Sequence, residues 1–215
     1  FSAPIFYNLS LNLKEERNEY IKEKMGECRK KDGIFVFTEE AALIASRYLE
    51  SGRVMVIPKT IDSWDISKTG YYERSGVFLG DIAKFLDPEI TPNAEEIIQS
   101  IKTHIGCRIG FVSQYNPGEI PDYLQGCKII PHSEKIETEI SKFRVYVHTN
   151  KYCTFEMLPV EAMSSGIPVC YVDMPQSLNY YIGQAGIKFS TNEEMVWGIK
   201  EAYTSKKTWE ALSRA

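Results

Sequence analysis

Short apolar runs, separated by segments of helical period, dominate the chain from residue 76 onwards. The runs cover residues 76–80, 108–113, 127–131, 144–149 and 167–172. Continuous apolar runs of this length are typical of parallel strands that are buried on both faces. The segments between them repeat apolar positions every three or four residues, as amphipathic helices do. This alternation predicts an α/β fold, a Rossmann-type parallel sheet with helices on both faces.

Capping residues set the expected limits of the helices. Asn93 is expected to cap a helix that runs to residue 104, and Asn192 a helix over residues 193–203. Residues 188–189 predict a short last strand, and residues 208–214 begin another helix.

The first part of the chain predicts less than a full domain. A charged helix, a strand, a second helix and a second strand are expected at residues 13–31, 34–37, 39–49 and 54–57. Residues 63–75 show no period and predict an interdomain linker. We therefore expect a partial N-terminal Rossmann-like unit at residues 1–62 and a C-terminal domain at residues 76–215.

The segment between the runs at residues 144–149 and 167–172 predicts a ligand site. Pro159 suits the first position of a helix, where its missing N–H would have no partner, and Gly166 suits the left-handed residue that ends it. Residues 150–158 then connect the carboxyl end of a strand to the start of this short helix. Open parallel sheets bind ligands in such a crevice, and free helix N–H groups favour an anion.

Glu161 has two interpretations at this stage. It is expected in the first turn of the helix, where a carboxylate at the third position forms a capping box and serves structure alone. A carboxylate beside an anion site also accepts hydrogen bonds from a pair of sugar hydroxyls. The residue itself leaves both interpretations open.

Composition excludes several classes of protein. Of 215 residues, 43% are hydrophobic and 25% charged, which is typical of a globular protein, and the net charge of -4 argues against a nucleic-acid binder. No apolar stretch approaches the roughly 20 residues of a membrane span, whereas peripheral membrane association stays open. Five scattered cysteines without a CxxC pair predict a reduced, cytoplasmic protein and no metal site. Because the chain opens at Phe1 rather than Met, we expect it to be a fragment.

Eight residues of the site segment agree in register with a known motif: Phe155, Pro159, Glu161, Ala162, Met163, Gly166, Pro168 and Val169. The segment resembles the C-terminal domain of the retaining GT-B glycosyltransferases of family 4, in which two Glu residues eight positions apart flank a glycine-rich turn and Leu-Pro. A weaker likeness covers residues 56–62. The resemblance implies a GT-B-like fold and a nucleotide-diphosphate sugar as donor, with no cofactor and no metal.

The resemblance also implies which residues contact the donor. These are Gly80, Lys84, His132, Phe155, Met157, Leu158 and Glu161, with Cys153 and Glu156 as the catalytic candidates. Glu161 is implied to bind the nucleotide ribose, and His132 lies in the loop that meets the base. Backbone N–H groups of residues 155–158 would receive the diphosphate, while Cys153 and Glu156 would lie near the donor sugar.

The chain departs from the family at the phosphate and sugar ends of the site. Cys153 stands where the family has the first Glu, and Glu156 where it has a Gly. In the family an Arg directly follows the glycine that corresponds to Gly80, and here that position is Asp81. The position of the family's Lys falls near Leu86, and Lys84 is the candidate to replace it. A carboxylate facing a diphosphate is unfavourable by roughly a kcal/mol or more.

The favoured hypothesis is a glycosyltransferase that moves a sugar with retention to a glycan, lipid or protein acceptor. The alternative is a catalytically impaired nucleotide-sugar-binding or regulatory module, which the missing Arg, Lys and Glu favour. A nicotinamide-binding Rossmann domain is disfavoured because no GxGxxG follows any predicted strand.

Overall fold

The computed structural model describes residues 6–8, 33–36, 39–48, 53–56, 69–113, 119–132, 136–150, 157–173 and 182–214. These residues fall into two compact units. In the first unit, β1 (Phe6–Asn8), β2 (Gly33–Val36) and β3 (Arg53–Val56) form a parallel sheet in that order, and α1 (Glu39–Tyr48) connects β2 to β3. β1 was not expected from the sequence. The predicted helix at residues 13–31 lies outside the described residues.

The second unit is built on a six-stranded parallel sheet. Its strands are β4 (Val77–Asp81), β5 (Ile109–Ser113), β6 (Lys128–Pro131), β7 (Val145–His148), β8 (Val169–Val172) and β9 (Gly186–Phe189). They lie in the order β6-β5-β4-β7-β8-β9, and every neighbouring pair is parallel. The strand order therefore reverses between β4 and β7, which are neighbours in the middle of the sheet. The predicted α/β fold is confirmed.

Helices connect and cover the strands. They are α2 (Ile82–Leu86), α3 (Ala94–His104), α4 (Ile136–Ile140), α5 (Met157–Ser164), α6 (Asn192–Thr204) and α7 (Lys206–Arg214). All residues of β5, β7 and β8 are buried, as expected for strands covered on both faces. On one face, Val77 and Leu79 of β4 share a core with Ile98 of α3 and Ile199 of α6. The helices of this layer bury alternate residues of the strands. Because a shift of one residue would turn those side chains to the other face, this packing fixes the register of the sheet.

Three helix starts differ from the prediction, and one of them is that of α7, which begins at Lys206 rather than at residue 208. α5 begins at Met157, so Pro159 is its third residue rather than its first. The first four N–H groups of a helix have no partner within it, so a proline at the third position costs no hydrogen bond. The N-cap of α6 is Thr191, whose side chain accepts from the N–H of Glu194, and Asn192 is the first helical residue. Asn93 stands at the N-cap of α3 but makes no side-chain cap hydrogen bond.

Two arginines, Arg74 and Arg144, hold residues 69–75 of the predicted linker within the second unit. Arg74 is only 2% exposed, and it donates to the carbonyl oxygens of Thr69 (3.0 Å) and Ser165 (2.7 Å). Burial lowers the pKa of Arg74 to about 10, so the guanidinium stays charged at neutral pH. The guanidinium of Arg144 lies over the rings of Tyr71 and Tyr203, at 4.2 and 4.6 Å from their centroids. These contacts lie at the amino ends of the strands and leave the carboxyl ends for ligands.

Gly80 shapes the carboxyl end of β4. Its φ of +83° lies in the left-handed region, and the pairing of β4 with β5 shifts register between Phe78 and Asp81. The hydroxyl oxygen of Tyr146 lies 2.7 Å from where a Cβ on Gly80 would stand. Glycine is therefore required at this position for two reasons, the left-handed backbone conformation and the close contact with the Tyr146 hydroxyl.

Replacing Gly80 by Ala should destabilise the protein more than the same change at Gly126, which has a φ of +81° but no atom within 4 Å of its Cβ position. Gly126→Ala should lower the free energy of unfolding by about 1–2 kcal/mol, the cost of a left-handed non-glycine residue. Gly80→Ala should lose roughly 1 kcal/mol or more beyond that, because of the clash. Urea unfolding measures both. In a Tyr146→Phe background the difference should shrink; equal losses for both glycines in the wild-type background would contradict this explanation.

Candidate functional site

The carboxyl ends of the six parallel strands form one edge, and polar residues collect there. Asp81, His132, Thr149, Asp173 and Ser190 each end or directly follow a strand. Thr149 is 5% exposed and its hydroxyl lies 3.4 Å from that of Thr91. Ligands of open parallel sheets bind at this edge, where the strand order reverses.

The start of α5 lies beyond the carboxyl end of β7, beside that reversal. Met157 and Leu158 are the first two helical residues and are half-buried. Their N–H groups belong to the four that have no partner within the helix, and the helix dipole places partial positive charge there. A helix start of this kind favours an anion.

Glu161 is the fifth residue of α5, and no acidic residue lies in the first turn of that helix. The expectation that it occupies the first turn is therefore wrong. A capping box requires the third position, which Pro159 fills, so the capping-box interpretation of Glu161 does not hold. Glu161 is half-buried, and its backbone carbonyl accepts from the hydroxyls of Ser164 and Ser165, each at 2.8 Å.

Three of the predicted site residues, Cys153, Phe155 and Glu156, lie outside the described residues. His132 is described and exposed at the edge of the sheet. Its backbone N–H donates to the carbonyl of Ser113 at 2.8 Å, which extends the pairing of β5 and β6 by one residue. The sheet thus holds the His132 backbone in place while leaving the imidazole to solvent.

The protein's own groups occupy the carboxyl end of β4 and the start of α2. The Asp81 carboxylate accepts from the N–H of Ala83 at 2.8 Å and caps α2. The close contact at Gly80 is made by the Tyr146 hydroxyl. Lys84 lies on α2 and is half-buried. An internal anion therefore takes the position at the start of α2 where an external anion would otherwise be stabilised.

A cavity of about 270 Å³ lies further along the same edge, and sequence analysis missed it. Its lining comes from the starts of α3 and α6 and from the ends of β7, β8 and β9: Asn93, Glu96, Ile97, Thr149, Val172, Phe189, Ser190, Thr191, Asn192 and Glu193. The polar residues Thr149 and Ser190, each placed directly after a buried strand, are the sequence feature that points to it.

The structure was compared with two expectations from the sequence, that the protein has no metal site and no membrane-spanning segment. Among the described residues, no group of three or more His, Cys, Asp or Glu side chains is arranged to hold a metal ion. In the same part of the chain, no helix has both the length and the apolar character that crossing a membrane requires.

Comparisons with known proteins give a match in structure only. No family model matches the chain, and no curated protein matches its sequence. A mutant of S. aureus TarM, in complex with fondaparinux, α-GlcNAc-glycerol and UDP, aligns over 99% of this chain with a TM-score of 0.78 and 14% identity. The pneumococcal O-GlcNAc transferase GtfA, in complex with UDP and GlcNAc, aligns over 99% with a TM-score of 0.72 and 16% identity.

A third similar structure is that of Anabaena Alr3699/HepE in complex with UDP and glucose, which aligns over 98% of this chain with a TM-score of 0.72 and 14% identity. This chain covers 46%, 49% and 64% of the three proteins, so it spans about half to two thirds of their length. At such identities the likeness concerns the fold. The chain therefore has the α/β fold found in glycosyltransferases of the GT-B type.

Proposed function

We propose that this protein takes part in glycosyl transfer and binds a nucleoside-diphosphate sugar at the carboxyl edge of the six-stranded sheet. The observation that carries the proposal is the placement of α5. Its first N–H groups, which have no partner within the helix, lie beside the reversal between β4 and β7, and Glu161 follows one turn later. The fold is shared with proteins whose structures were solved in complex with UDP, which supports a uridine nucleotide as the first ligand to test.

Each site residue receives a role in this proposal. The backbone N–H groups of residues 155–158 bind the diphosphate. Gly80, at the carboxyl end of β4, and Lys84, on α2, are further contacts to the phosphates. Glu161 accepts hydrogen bonds from the ribose hydroxyls, since a carboxylate is an acceptor only. His132 lies toward the base. Cys153 and Glu156 contact the donor sugar.

The reaction proposed is transfer of a hexose with retention and without a metal, to a glycan, lipid or protein acceptor. In this proposal, residues 1–62 belong to the acceptor-side domain, residues 63–75 are the linker, and residues 76–215 bind the donor. The charge of the leaving diphosphate is stabilised by the helix start rather than by a cation.

A second candidate function is a nucleotide-sugar-binding module without turnover. Asp81 favours it, because its carboxylate caps α2 where the proposed family places a cationic side chain. The two functions separate in one assay with UDP-, GDP- and ADP-sugars. Release of free nucleotide supports the transferase, whereas binding without release over many hours, with glycan, lipid and peptide acceptors supplied, supports the module.

Glu161→Ala should weaken UDP binding by about 10–100-fold, since a hydrogen bond to a charged group contributes roughly 1.5–3 kcal/mol. Isothermal titration calorimetry measures the affinity. The matched control is Glu201→Ala, another half-buried helical glutamate, which lies in α6 and should leave UDP affinity unchanged. If Glu161→Ala lowers the free energy of unfolding while UDP binds as before, the carboxylate serves structure and the ribose role is wrong.

Asp81→Asn should strengthen UDP binding by about five- to tenfold, because it removes a negative charge that opposes the diphosphate by roughly 1–1.4 kcal/mol. Asparagine caps helices as well as aspartate does, so stability should be retained, whereas Asp81→Ala should lose about 1 kcal/mol of unfolding free energy. Asp87→Asn removes the same charge at the other end of α2 and serves as the control. An unchanged affinity for Asp81→Asn would show that the diphosphate lies away from this turn.

A further inference from the structure

Among the described residues, the cavity at the starts of α3 and α6 shares no lining residue with the proposed donor site. Its lining includes none of Gly80, Lys84, His132, Met157, Leu158 or Glu161. It lies at the ends of β7, β8 and β9, within the second unit, and α5 contributes nothing to it. Any ligand it holds therefore needs its own explanation.

Charge around the cavity disfavours anions. The starts of two helices meet there and contribute about half a positive charge each. Glu96 and Glu193 line the same space, and each carries a full negative charge when ionised. Hydrogen bonds from its own backbone N–H and from the Thr191 hydroxyl hold the pKa of Glu193 below its usual value, so Glu193 is ionised at neutral pH. The balance is negative, which opposes phosphates and carboxylates.

The walls of the cavity offer neutral hydrogen-bonding groups in both senses. The Asn93 amide donates to the Asn192 side-chain oxygen at 3.1 Å. A side-chain amide has two N–H donors and an acceptor oxygen, so each asparagine retains capacity beyond that one bond. The hydroxyls of Thr149 and Ser190 add further groups of this kind, and the carboxylates of Glu96 and Glu193 add acceptors.

Three further residues of the lining are apolar and buried. Ile97, Val172 and Phe189 are 3%, 9% and 6% exposed and provide a surface for C–H groups. The volume of about 270 Å³ lies just below the range of about 300–1,000 Å³ that drug-sized ligands occupy, so a ligand of about one ring fits. A ring with hydroxyl groups at its edge and C–H groups on its face satisfies both kinds of lining.

We propose that this cavity binds a neutral pyranose, one unit of a glycan, and is a carbohydrate subsite distinct from the donor site. This proposal rests on the proposed function in one respect, namely that a protein of glycosyl transfer encounters glycans. The pyranose belongs to an acceptor or product glycan, because the negative lining opposes the diphosphate of a donor.

The test is an NMR titration of the ¹⁵N-labelled chain with the methyl glycosides of glucose, galactose and mannose, each added at millimolar concentration, with inorganic phosphate as the anionic probe. At least one glycoside should shift the amides at the starts of α3 and α6, and phosphate should bind there more weakly. No shift with any of the three, or tighter binding of phosphate, would overturn the proposal.

Asn93→Ala should weaken glycoside binding by about fivefold, the effect of losing one hydrogen-bonding group. Because the Asn93 side chain makes no cap hydrogen bond, this change is expected to leave α3 folded. Gln99→Ala, exposed on the same helix and outside the lining, is the matched control and should bind as wild type. Ser190→Phe should abolish binding by filling the space. Wild-type affinity in both Asn93→Ala and Ser190→Phe overturns the proposal.

A parallel titration with UDP separates this proposal from the proposed function. UDP should shift the backbone amide resonances of α5, whereas the glycoside should shift those at the starts of α3 and α6. If UDP fails to bind and the glycoside binds, the donor site is wrong and the subsite stands. If UDP shifts α5 and no glycoside shifts the cavity, the subsite alone is wrong.

Discussion

β4 and β7 are neighbours in the middle of a parallel sheet, and the chain leaves their carboxyl ends toward opposite edges. From β4 it continues through α3 to β5, and from β7 through α5 to β8. Right-handed crossovers place these two helices on opposite faces, so a crevice opens between them at the carboxyl edge. The location of the proposed donor site follows from this reversal and from no single side chain.

Local chemistry then decides what the crevice can bind. The start of α5 offers N–H groups that the helix itself leaves unbonded, and Glu161 one turn further on. The carboxyl end of β4 offers Asp81, whose carboxylate already caps α2, and Gly80, which the Tyr146 hydroxyl covers. One side of the crevice thus favours an anion and the other side opposes it. A diphosphate bound there would depend on α5 far more than on α2.

The sequence predicted the elements of the second unit well, because its central strands are buried on both faces and stand out as continuous apolar runs. It misplaced the start of α5, since proline is tolerated at any of the first helical positions and Pro159 does not distinguish the first from the third. It chose Asn192 as a cap over the adjacent Thr191, and both residue types are good caps. β1 was missed because three residues of mixed character show no period.

The site was predictable only where it is local in sequence. Glu161 and the start of α5 lie within one segment, and the motif in that segment points to them as parts of the proposed donor site. The use of Asp81 as a cap was not predicted, because no helix was expected at residues 82–86, where α2 lies. The cavity combines residues from position 93 to position 193, and only the folded sheet brings them to one place.

Hydrogen–deuterium exchange with and without UDP tests most directly whether the reversal between β4 and β7 is the nucleotide site. Peptides covering Met157–Ser164 should exchange more slowly when UDP is bound, while peptides covering Lys206–Arg214 should be unchanged. Slower exchange elsewhere, with residues 157–164 unaffected at saturating UDP, would contradict the placement of the donor at α5.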